Sequence, residues 1–357
     1  MTKLYTVGPV EMYEESLEIG GQQVPYFRTD EFSQIVLETM AGMKTLLNCD
    51  EKGEIIFLTS SGTGAMEATV ENCLDDNDCV LIIDGGGFGH RFVELCEIHH
   101  IKYTAVKVEY GQTLTREMIE ETVRKSGLHY TALLVNIHES STGQLYDIEM
   151  LSEYCHENEL YFIVDAISSF LADPLDMQKH RIDAVIISSQ KALSLAPGLS
   201  IVGIGERMLE KVNSIPVKSM YFDFKHHIND GKRGQTPFTP AVRVIIELHQ
   251  RVLSLVKKGY TQEISDVKAL AEDFRRKVKE IGLEVPVYPI SNALTPVIFP
   301  KNNASEVYKI LKEKYHMVVN PTGGALGNSY FRVAHIGKHS IADNDELISA
   351  IKEILGQ

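Results

Sequence analysis

Seven short apolar runs recur between Glu54 and Ile204, and segments with helical spacing of apolar residues separate most of them. The runs are Glu54–Leu58, Val80–Asp84, Tyr103–Val108, Ala132–Val135, Tyr161–Asp165, Ala184–Ser188 and Ser200–Ile204. The helical segments are Ala65–Leu74, Arg91–His99, Arg116–Ser126 and Met150–Glu157. Apolar strands that alternate with helices are typical of a mainly parallel sheet covered on both faces. Because ligands bind such sheets at the carboxyl ends of the strands, we expect the functional residues there.

The pattern changes after Gly205. A polar stretch, "NDGKRGQTPFT" at Asn229–Thr239, is expected to be irregular and leads into a helical run at Ala241–Val256. It is followed by a second helical run at Thr261–Ile281, a strand-like "LTPVIFP", a helix at Ala304–Tyr315 and a closing helix after Asp343. We therefore predict a large domain at 16–252 and a smaller α/β domain at 253–357, joined by the N-terminal segment 1–15.

Composition excludes several classes of function. The formal net charge of the 357 residues is -14, whereas nucleic acids and anionic membranes require a basic surface. No apolar run approaches the roughly 20 residues that span a bilayer, and the first residues do not resemble a secretion signal, so we expect a cytoplasmic protein. The five cysteines form no CxxC pair and no HExxH motif occurs, so we expect reduced thiols and no metal site.

One lysine stands in an otherwise apolar segment, "AVIISSQKALSLAPGLSIVGIG", where Lys191 follows the sixth run. Burial of an unpaired ammonium is costly, and a desolvated lysine has a lowered pKa. Its neutral amine can attack an aldehyde and form a Schiff base. Asp165 ends the preceding run, in "YFIVDAISSF", so the carboxylate and the amine are expected at the same sheet edge.

A third candidate site lies between the first run and its helix, in "FLTSSGTGAMEATVENCL". Ser61, Gly62 and Thr63 there combine helix N-terminal amides, small residues and hydroxyls, which suit a phosphate, although a serine-capped turn is the plain alternative. Neither GxxxxGK[ST] nor a complete GxGxxG occurs. An amine, a carboxylate and an anion cradle together fit pyridoxal 5'-phosphate, with Asp165 at the pyridine nitrogen. A carboxylate beside that cation is expected to have a lowered pKa.

Five motifs carry a resemblance to a known family: "SSGTGAMEA", "HESSTG", "VDAISS", "SSQKALSLAPG" and "FRVAHIG". They resemble, in order along nearly the whole chain, those of class V pyridoxal-phosphate aminotransferases. This group includes alanine–glyoxylate, serine–pyruvate and 2-aminoethylphosphonate–pyruvate transaminases. The resemblance implies the aspartate-aminotransferase-like fold (fold type I), with a large, mostly parallel seven-stranded sheet domain and a smaller C-terminal α/β domain. It also implies a homodimer with composite active sites.

The resemblance assigns further roles. It makes Lys191 the Schiff-base lysine and the general acid/base, and Arg332 the ligand of the substrate α-carboxylate. The other implied contacts are Gln190 beside the lysine, Phe88 stacked on the cofactor ring, Ser140 near the ring's 3'-oxygen, Gly8 on the substrate side, and Thr239 at the phosphate of the neighbouring subunit. Two departures from the family pattern are Val7-Gly8-Pro9 in place of "PGP" and Phe88 in place of a tryptophan.

The sequence therefore predicts an aminotransferase with a ping-pong mechanism, an alanine- or serine-type donor and pyruvate or glyoxylate as acceptor. One alternative is 2-aminoethylphosphonate–pyruvate transamination, because "YFDFKHHINDGKRGQTPFTP" is similar to that enzyme's segment. Its phosphonate could be met by Arg28, Lys225, His226, Lys232 or Arg233. A lyase such as a cysteine desulfurase is disfavoured because no cysteine follows Cys155. A non-catalytic binding protein is disfavoured because Lys191, Asp165 and Arg332 are all retained.

Overall fold

The computed structural model describes residues 2–357. Its helices are α1 (Glu14–Gly20), α2 (Asp30–Leu47), α3 (Gly62–Cys73), α4 (Gly89–Ile98), α5 (Arg116–Ser126), α6 (Ile148–Glu157), α7 (Glu206–Ser214), α8 (Phe224–Gly231), α9 (Val242–Lys258), α10 (Tyr260–Glu280), α11 (Ala304–Lys314) and α12 (Ile341–Ile354). Its strands are β1 (Lys3–Tyr5), β2 (Glu54–Leu58), β3 (Cys79–Asp84), β4 (Lys102–Lys107), β5 (Ala132–Asn136), β6 (His138–Glu139), β7 (Gln144–Leu145), β8 (Tyr161–Asp165), β9 (Ala184–Ser188), β10 (Ser200–Ile204), β11 (Leu294–Ile298), β12 (Met317–Pro321) and β13 (Tyr330–Ala334). None of the helices described is both long and apolar enough to cross a membrane.

The large sheet contains the seven predicted strands in the order β2-β10-β9-β8-β5-β3-β4. Pairing is parallel except for β10, which runs antiparallel to both β2 and β9. The connection 189–199 between β9 and β10 is too short for the helical crossover that a parallel pair requires, so β10 must reverse direction. The prediction of a mostly parallel seven-stranded sheet is confirmed.

Both faces of this sheet are covered, as the apolar strands predict. Phe162 and Val164 of β8 pack into one core with residues of α2, α5, α6 and α9. Ile163, between them, packs into a second core with residues of α3, α4 and α7. Alternate residues of a strand thus pack on opposite faces, and helices cover both faces. The carboxyl ends of the strands remain accessible.

The smaller sheet has the order β1-β12-β13-β11, with β1 parallel to β12 and the remaining pairs antiparallel. A separate apolar core lies between this sheet and helices α10, α11 and α12. Strand β1 thus belongs to the sheet formed by the C-terminal strands, while the grouping of residues 1–15 with residues 253–357 stays a prediction. The boundary between 252 and 253 stays a prediction.

Several elements differ from the sequence-based expectation. Helix α2 was not predicted, although its local signals are present: the Thr29 side chain accepts from the amide of Phe32, and Asn48 ends the helix in the left-handed conformation. Helix α8 includes the first residues of the stretch expected to be irregular. The closing helix begins before Asp343, because Ser340 and Asp343 form a capping box at its start.

Candidate active site

A cavity of about 120 Å³ lies at the carboxyl edge of the large sheet. The structure brings eight of the predicted site residues to its wall: Ser61, Gly62, Thr63, Phe88, Ser140, Asp165, Gln190 and Lys191. They come from segments that follow β2, β3, β6 and β9, together with the last residue of β8. The site is thus assembled from the ends of neighbouring strands, as expected for a sheet of this type.

Lys191 emerges just beyond β9, and burial lowers the pKa of its ammonium to about 8. Asp165 opposes this shift, whereas Arg332 and Arg91 add to it. A substantial fraction of the side chain is therefore neutral, and nucleophilic, in mildly alkaline solution. The sequence-based expectation of a desolvated amine agrees with this environment.

Gly8 packs directly against the lysine. A β-carbon at position 8 would lie 2.7 Å from Cδ, 2.8 Å from Cε and 2.9 Å from Nζ of Lys191. The segment is held in place by the amide of Val7, which donates to Asn320 Oδ1 at 2.6 Å. Glycine is therefore the residue that allows the N-terminal backbone to reach the amine.

Asp165 is buried at the end of β8, and each of its oxygens has a donor. Oδ1 accepts from the amide of Ile167 at 2.8 Å, and Oδ2 accepts from Asn136 Nδ2 at 2.7 Å. Burial raises the pKa of Asp165 to about 6, against the opposing effects of Ile167, Asn136 and Lys191. Desolvation outweighs the donors in the protein without cofactor, and the lowered pKa expected beside the cofactor's cation stays a prediction. A cation against the carboxylate would favour its charged form.

The N-terminus of α3 forms another part of the wall. Ser61 caps the helix by accepting from the amide of Gly64 at 3.3 Å, and Gly62 is the first helical residue. A β-carbon at Gly62 would lie 2.5 Å from Ile167 Cδ1, so a larger residue there would displace the Ile167 side chain in the segment after Asp165. The first amides of α3 therefore face an anion-binding position at the cavity.

Sequence reasoning missed Arg91, which also lines the cavity. Its Nη1 donates to Thr63 Oγ1 at 3.0 Å, and its guanidinium carbon lies 5.1 Å from the centroid of the Phe88 ring. Arg91 follows Phe88 by three residues in "GGGFGHR", and a cation so close to an expected stacking residue was the available signal. It adds a positive charge beside the anion-binding turn.

Arg332 reaches this region from β13. Its Nη1 donates to the Ser140 carbonyl and its Nη2 to the Pro321 carbonyl, both at 2.7 Å, while its buried Nε has no partner within residues 2–357. Burial lowers the pKa of the guanidinium. Because a guanidinium has five N–H donors, these two bonds leave three for an anion.

Two tyrosines donate hydrogen bonds to the same loop as Arg332. Tyr330 Oη donates to the Ser141 carbonyl at 3.0 Å, and Tyr288 Oη donates to the Thr142 carbonyl at 2.8 Å. Three consecutive carbonyls of the "HESSTG" loop are therefore each bonded by a side chain from the C-terminal part of the chain. These contacts fix Arg332 relative to the cavity, and the sequence carried no signal for them.

The structure places the last two predicted residues differently from each other. Gln190 lines the cavity, and its Oε1 accepts from Ser188 Oγ at 2.6 Å. Thr239 is exposed and does not line the cavity of its own chain. The loop before Thr239 is anchored by Arg28, whose Nη1 donates to Gln235 Oε1 and to the Thr236 carbonyl at 2.9 and 2.8 Å.

The residues present fit pyridoxal 5'-phosphate. The cavity offers an amine with a lowered pKa, a carboxylate that a cation would stabilise, and a helix N-terminus with an arginine for a phosphate. Gly8 and Gly62 mark two places where a side chain would fill the space beside these groups. These three groups therefore match the aldehyde, the pyridine nitrogen and the phosphate of that cofactor.

The chain is similar to known proteins along nearly its whole length. Residues 11–328 match the model of the family described as Aminotransferase class-V. Among curated relatives, the chain is 24% identical to L-aspartate–glyoxylate aminotransferase of Paracoccus denitrificans, covering 94% of this chain and 86% of the relative. It is 25% identical to alanine–glyoxylate aminotransferase of Oryctolagus cuniculus (98% and 91%) and 26% identical to 2-aminoethylphosphonate–pyruvate transaminase of Pseudomonas fluorescens (91% and 89%).

Solved structures share the fold. The crystal structure of alanine–glyoxylate aminotransferase from Nostoc sp. superposes with a TM-score of 0.92 at 22% identity, covering 99% of this chain and 95% of that one. An aspartate aminotransferase of subgroup IV from Thermus thermophilus gives 0.90 at 24% identity, covering 99% of both chains. The predicted fold type I architecture is confirmed.

Proposed function

Since the chain belongs to the class-V aminotransferases, enzymes that transfer amino groups and depend on pyridoxal 5'-phosphate, we propose that it moves the amino group of a small amino acid to a small 2-oxo acid. The observation that carries the proposal is the convergence of Lys191, Asp165 and the N-terminus of α3 on one cavity. Alanine or serine is the proposed donor, and pyruvate or glyoxylate the proposed acceptor.

When bound, pyridoxal 5'-phosphate supplies an aldehyde for the substrate's amino group and a ring that accepts the electron pair left when the α-proton is removed. We assign Lys191 to the aldehyde end and Asp165 to the pyridine nitrogen. Ser61, Gly62 and Thr63 receive the phosphate. Phe88, Ser140 and Gln190 complete the wall, and Arg91 adds a cation beside Thr63.

The residues of the chain then have distinct tasks. Burial lowers the pKa of Lys191 to about 8. Its amine can take the α-proton from the substrate and deliver it to the carbon of the cofactor's aldehyde group. Arg332 orients the substrate by its α-carboxylate through the donors that the backbone carbonyls leave free. Gly8 lets the backbone pass close to the amine, so that little solvent remains beside it.

The reaction is proposed to proceed by a ping-pong mechanism. The donor and the acceptor are both small 2-substituted carboxylic acids, and one arginine, Arg332, is available to orient either of them. They are therefore expected to use the site in turn, the first keto acid leaving before the second binds.

The contacts of the five cations considered for a phosphonate favour a carboxylic substrate. None of them lines the cavity of its own chain, and four have a partner within 3.5 Å: Arg28 with Gln235 and Thr236, Lys225 with the Ile215 carbonyl, and His226 and Arg233 with Asp230. The 26% identity to a 2-aminoethylphosphonate transaminase keeps phosphonate transamination as the second candidate. A desulfurase would need a reactive cysteine, and none lines the cavity in the described part of the chain.

We further propose a homodimer in which Thr239 contributes to the partner's phosphate site. Its exposure, and its absence from the cavity wall of its own chain, agree with such a role. The anchoring of the preceding loop by Arg28 would keep Thr239 in a fixed position.

A panel of amino donors tests the proposed function. Cofactor-loaded protein is mixed with alanine, serine, aspartate or 2-aminoethylphosphonate in the absence of a keto acid, and the loss of its yellow absorbance is timed. We expect the fastest loss with alanine or serine, and parallel double-reciprocal plots when pyruvate or glyoxylate is added. Bleaching by the phosphonate alone would establish the second candidate, and release of sulfide from cysteine would establish a lyase.

Changing Arg332 to lysine is expected to reduce kcat/KM for the amino donor by about 10- to 100-fold, mostly through KM. A lysine keeps the charge but cannot bond two backbone carbonyls and a carboxylate in one plane. Loss of one or two charge-assisted hydrogen bonds accounts for this size. Steady-state kinetics measure the effect, and the dissociation constant of pyridoxal phosphate serves as the control, since it should change little. An unchanged KM would remove Arg332 from the substrate site.

A further inference from the structure

The carboxylate of Glu139 is fully buried at the end of β6, beside the cavity. Its Oε2 accepts from the amides of Phe88 and Gly89 at 3.1 and 2.9 Å. Its Oε1 accepts from the amide of Ser141 at 3.1 Å and from the hydroxyl of the same residue. One side chain thus receives four hydrogen bonds from two loops that are far apart in sequence.

Backbone amides and the Ser141 hydroxyl, rather than a basic side chain, donate the hydrogen bonds to Glu139. In residues 2–357 no lysine, arginine or histidine nitrogen pairs with its carboxylate, whereas the amide of Gly89 belongs to the first residue of α4. Helix N-termini favour a negative charge, and a carboxylate that accepts several amide bonds is held in one geometry. The orientation of the α4 start is therefore coupled to Glu139.

The loop closes tightly around this carboxylate. A β-carbon at Gly86 would lie 2.5 Å from Glu139 Cδ and 2.6 Å from Ser141 Oγ. Any larger residue at position 86 would push the loop away from Glu139. The glycines of "GGGFGHR" thus serve the approach to a buried anion as well as the turn itself.

Both loops that Glu139 joins carry residues of the cavity wall. Phe88 comes from the loop after β3, and Ser140 directly follows Glu139. The Ser140 carbonyl in turn accepts from Arg332. A shift of the carboxylate would move the aromatic wall and the arginine's anchor at the same time.

We propose that Glu139 is a positioning residue that fixes the Phe88 ring and the Ser140 loop relative to each other, so that the ring can stack on the bound cofactor. The proposal rests on the proposed function, because it assumes that pyridoxal phosphate occupies this cavity. Glu139 touches neither substrate nor cofactor in this role. It acts through the amides of Phe88 and Gly89 and through Ser141.

A purely structural role is the competing explanation, since a carboxylate at a helix N-terminus stabilises the helix in any protein. Such a role would change the melting temperature without changing how the cofactor is held. The two explanations therefore separate in the visible circular dichroism of bound pyridoxal phosphate, which reports its environment, and in its dissociation constant.

The test compares Glu139→Gln with wild type as cofactor-loaded protein. Glutamine has nearly the same shape as glutamate. Its NH₂ group, however, cannot accept the hydrogen bonds that the backbone amides donate to the carboxylate in the wild type. We expect the dissociation constant of pyridoxal phosphate to rise about 10-fold, the equivalent of one such bond, and the visible dichroism to weaken. In a Phe88→Leu background the same change should raise the constant by a clearly smaller factor, because the part of the effect that passes through the ring is absent and only the part through the Ser140 loop remains.

Asp147→Ala is the control for loss of a helix-capping carboxylate outside the cavity. Asp147 also caps a helix, accepting from the amide of Met150 at 3.1 Å, but it does not line the cavity. This variant should lower the melting temperature and leave the dichroism and the dissociation constant at their wild-type values. Glu139→Asp, which keeps the charge on a shorter side chain, provides the measurement if the glutamine variant does not fold.

Two outcomes would overturn the proposal: a Glu139 variant that is less stable but binds the cofactor as wild type does, or an effect of equal size with and without Phe88. A different reaction catalysed by the loaded enzyme would leave the result for Glu139 unchanged, whereas failure of the cofactor assignment gives a different result. In that case the wild-type protein itself would not bind pyridoxal phosphate.

Discussion

Replacement of Lys191 by alanine is expected to reduce kcat by roughly 10⁴-fold, the upper end of what a positioned acid–base group contributes. The amine is the one cavity-lining group with a pKa lowered to about 8, and Gly8 packs against its terminal atoms. No other lysine lines the cavity in the described part of the chain. The variant therefore lacks both the nucleophile that holds the cofactor and the group that moves the α-proton.

Two measurements check this expectation. Wild-type protein loaded with pyridoxal phosphate and treated with borohydride should carry the cofactor on the peptide that contains Lys191, as seen by mass spectrometry, and the alanine variant should not. Lys52→Ala is the control, because Lys52 is exposed and pairs with Glu206 on the surface. Full activity in the Lys191 variant, or modification of another lysine in wild type, would refute the assignment.

The sequence predicted the large sheet well because its strands are buried on both faces. Continuous apolar runs leave little ambiguity, and four of the seven predicted strands, β2, β8, β9 and β10, have the observed bounds. The meeting of Lys191 and Asp165 followed from the same pattern, since β8 and β9 are parallel neighbours and end at one edge. Here local pattern and tertiary position are linked by the geometry of the sheet.

Residues whose role arises from contacts between distant segments were not predictable. Asn136 bonds to Asp165, 29 residues away, and Glu139 accepts from Phe88, 51 residues away. No periodicity in the sequence indicates these hydrogen bonds. Arg91 was recognisable as a cation near Phe88, but its bond to Thr63 depends on how α4 packs beside α3. Composition and spacing show which residue types are present, whereas these bonds depend on the packed structure.

The pKa of Asp165 shows a different limit. The sequence predicted a lowered pKa only beside the cofactor's cation and gave no value without it, whereas burial raises the pKa of the carboxyl to about 6 in the protein without cofactor, despite two hydrogen-bond donors. The depth of burial could not be inferred from one charged residue at the end of a strand. Because burial disfavours the charged carboxylate, any cation that binds against Asp165 would stabilise its charged form.

Changing Asp165 to asparagine is expected to reduce kcat by about 10²- to 10³-fold, a size typical of removing one electrostatic partner from an active site. Asparagine cannot keep a pyridine nitrogen protonated, so electron withdrawal by the ring weakens. The fold should tolerate the change, because Asn136 Oδ1 is buried without a partner and a flip of that amide would present it to the new NH₂ group. Kinetics per cofactor-loaded subunit measure the loss.

Stability against pH provides an independent check on Asp165. Its folded pKa of about 6 lies above the unfolded value of about 3.9, so the folded state binds the extra proton between these values. Wild-type stability from this group therefore decreases as pH rises from about 4 to 6 and stays lower above that, and the asparagine variant should lack this decrease. Melting temperatures of cofactor-free protein across this range would show the difference.

Asp173→Asn separates the two effects of Asp165. Asp173 is also buried, burial likewise raises its pKa to about 6, and its Oδ1 accepts from the amide of Asn292 at 2.9 Å, away from the cavity. Its replacement should change the pH dependence of stability but leave kcat per loaded subunit unaltered. If both variants lost activity equally, the loss would reflect the removal of a buried carboxylate from the fold, and Asp165 would have no special part in the chemistry.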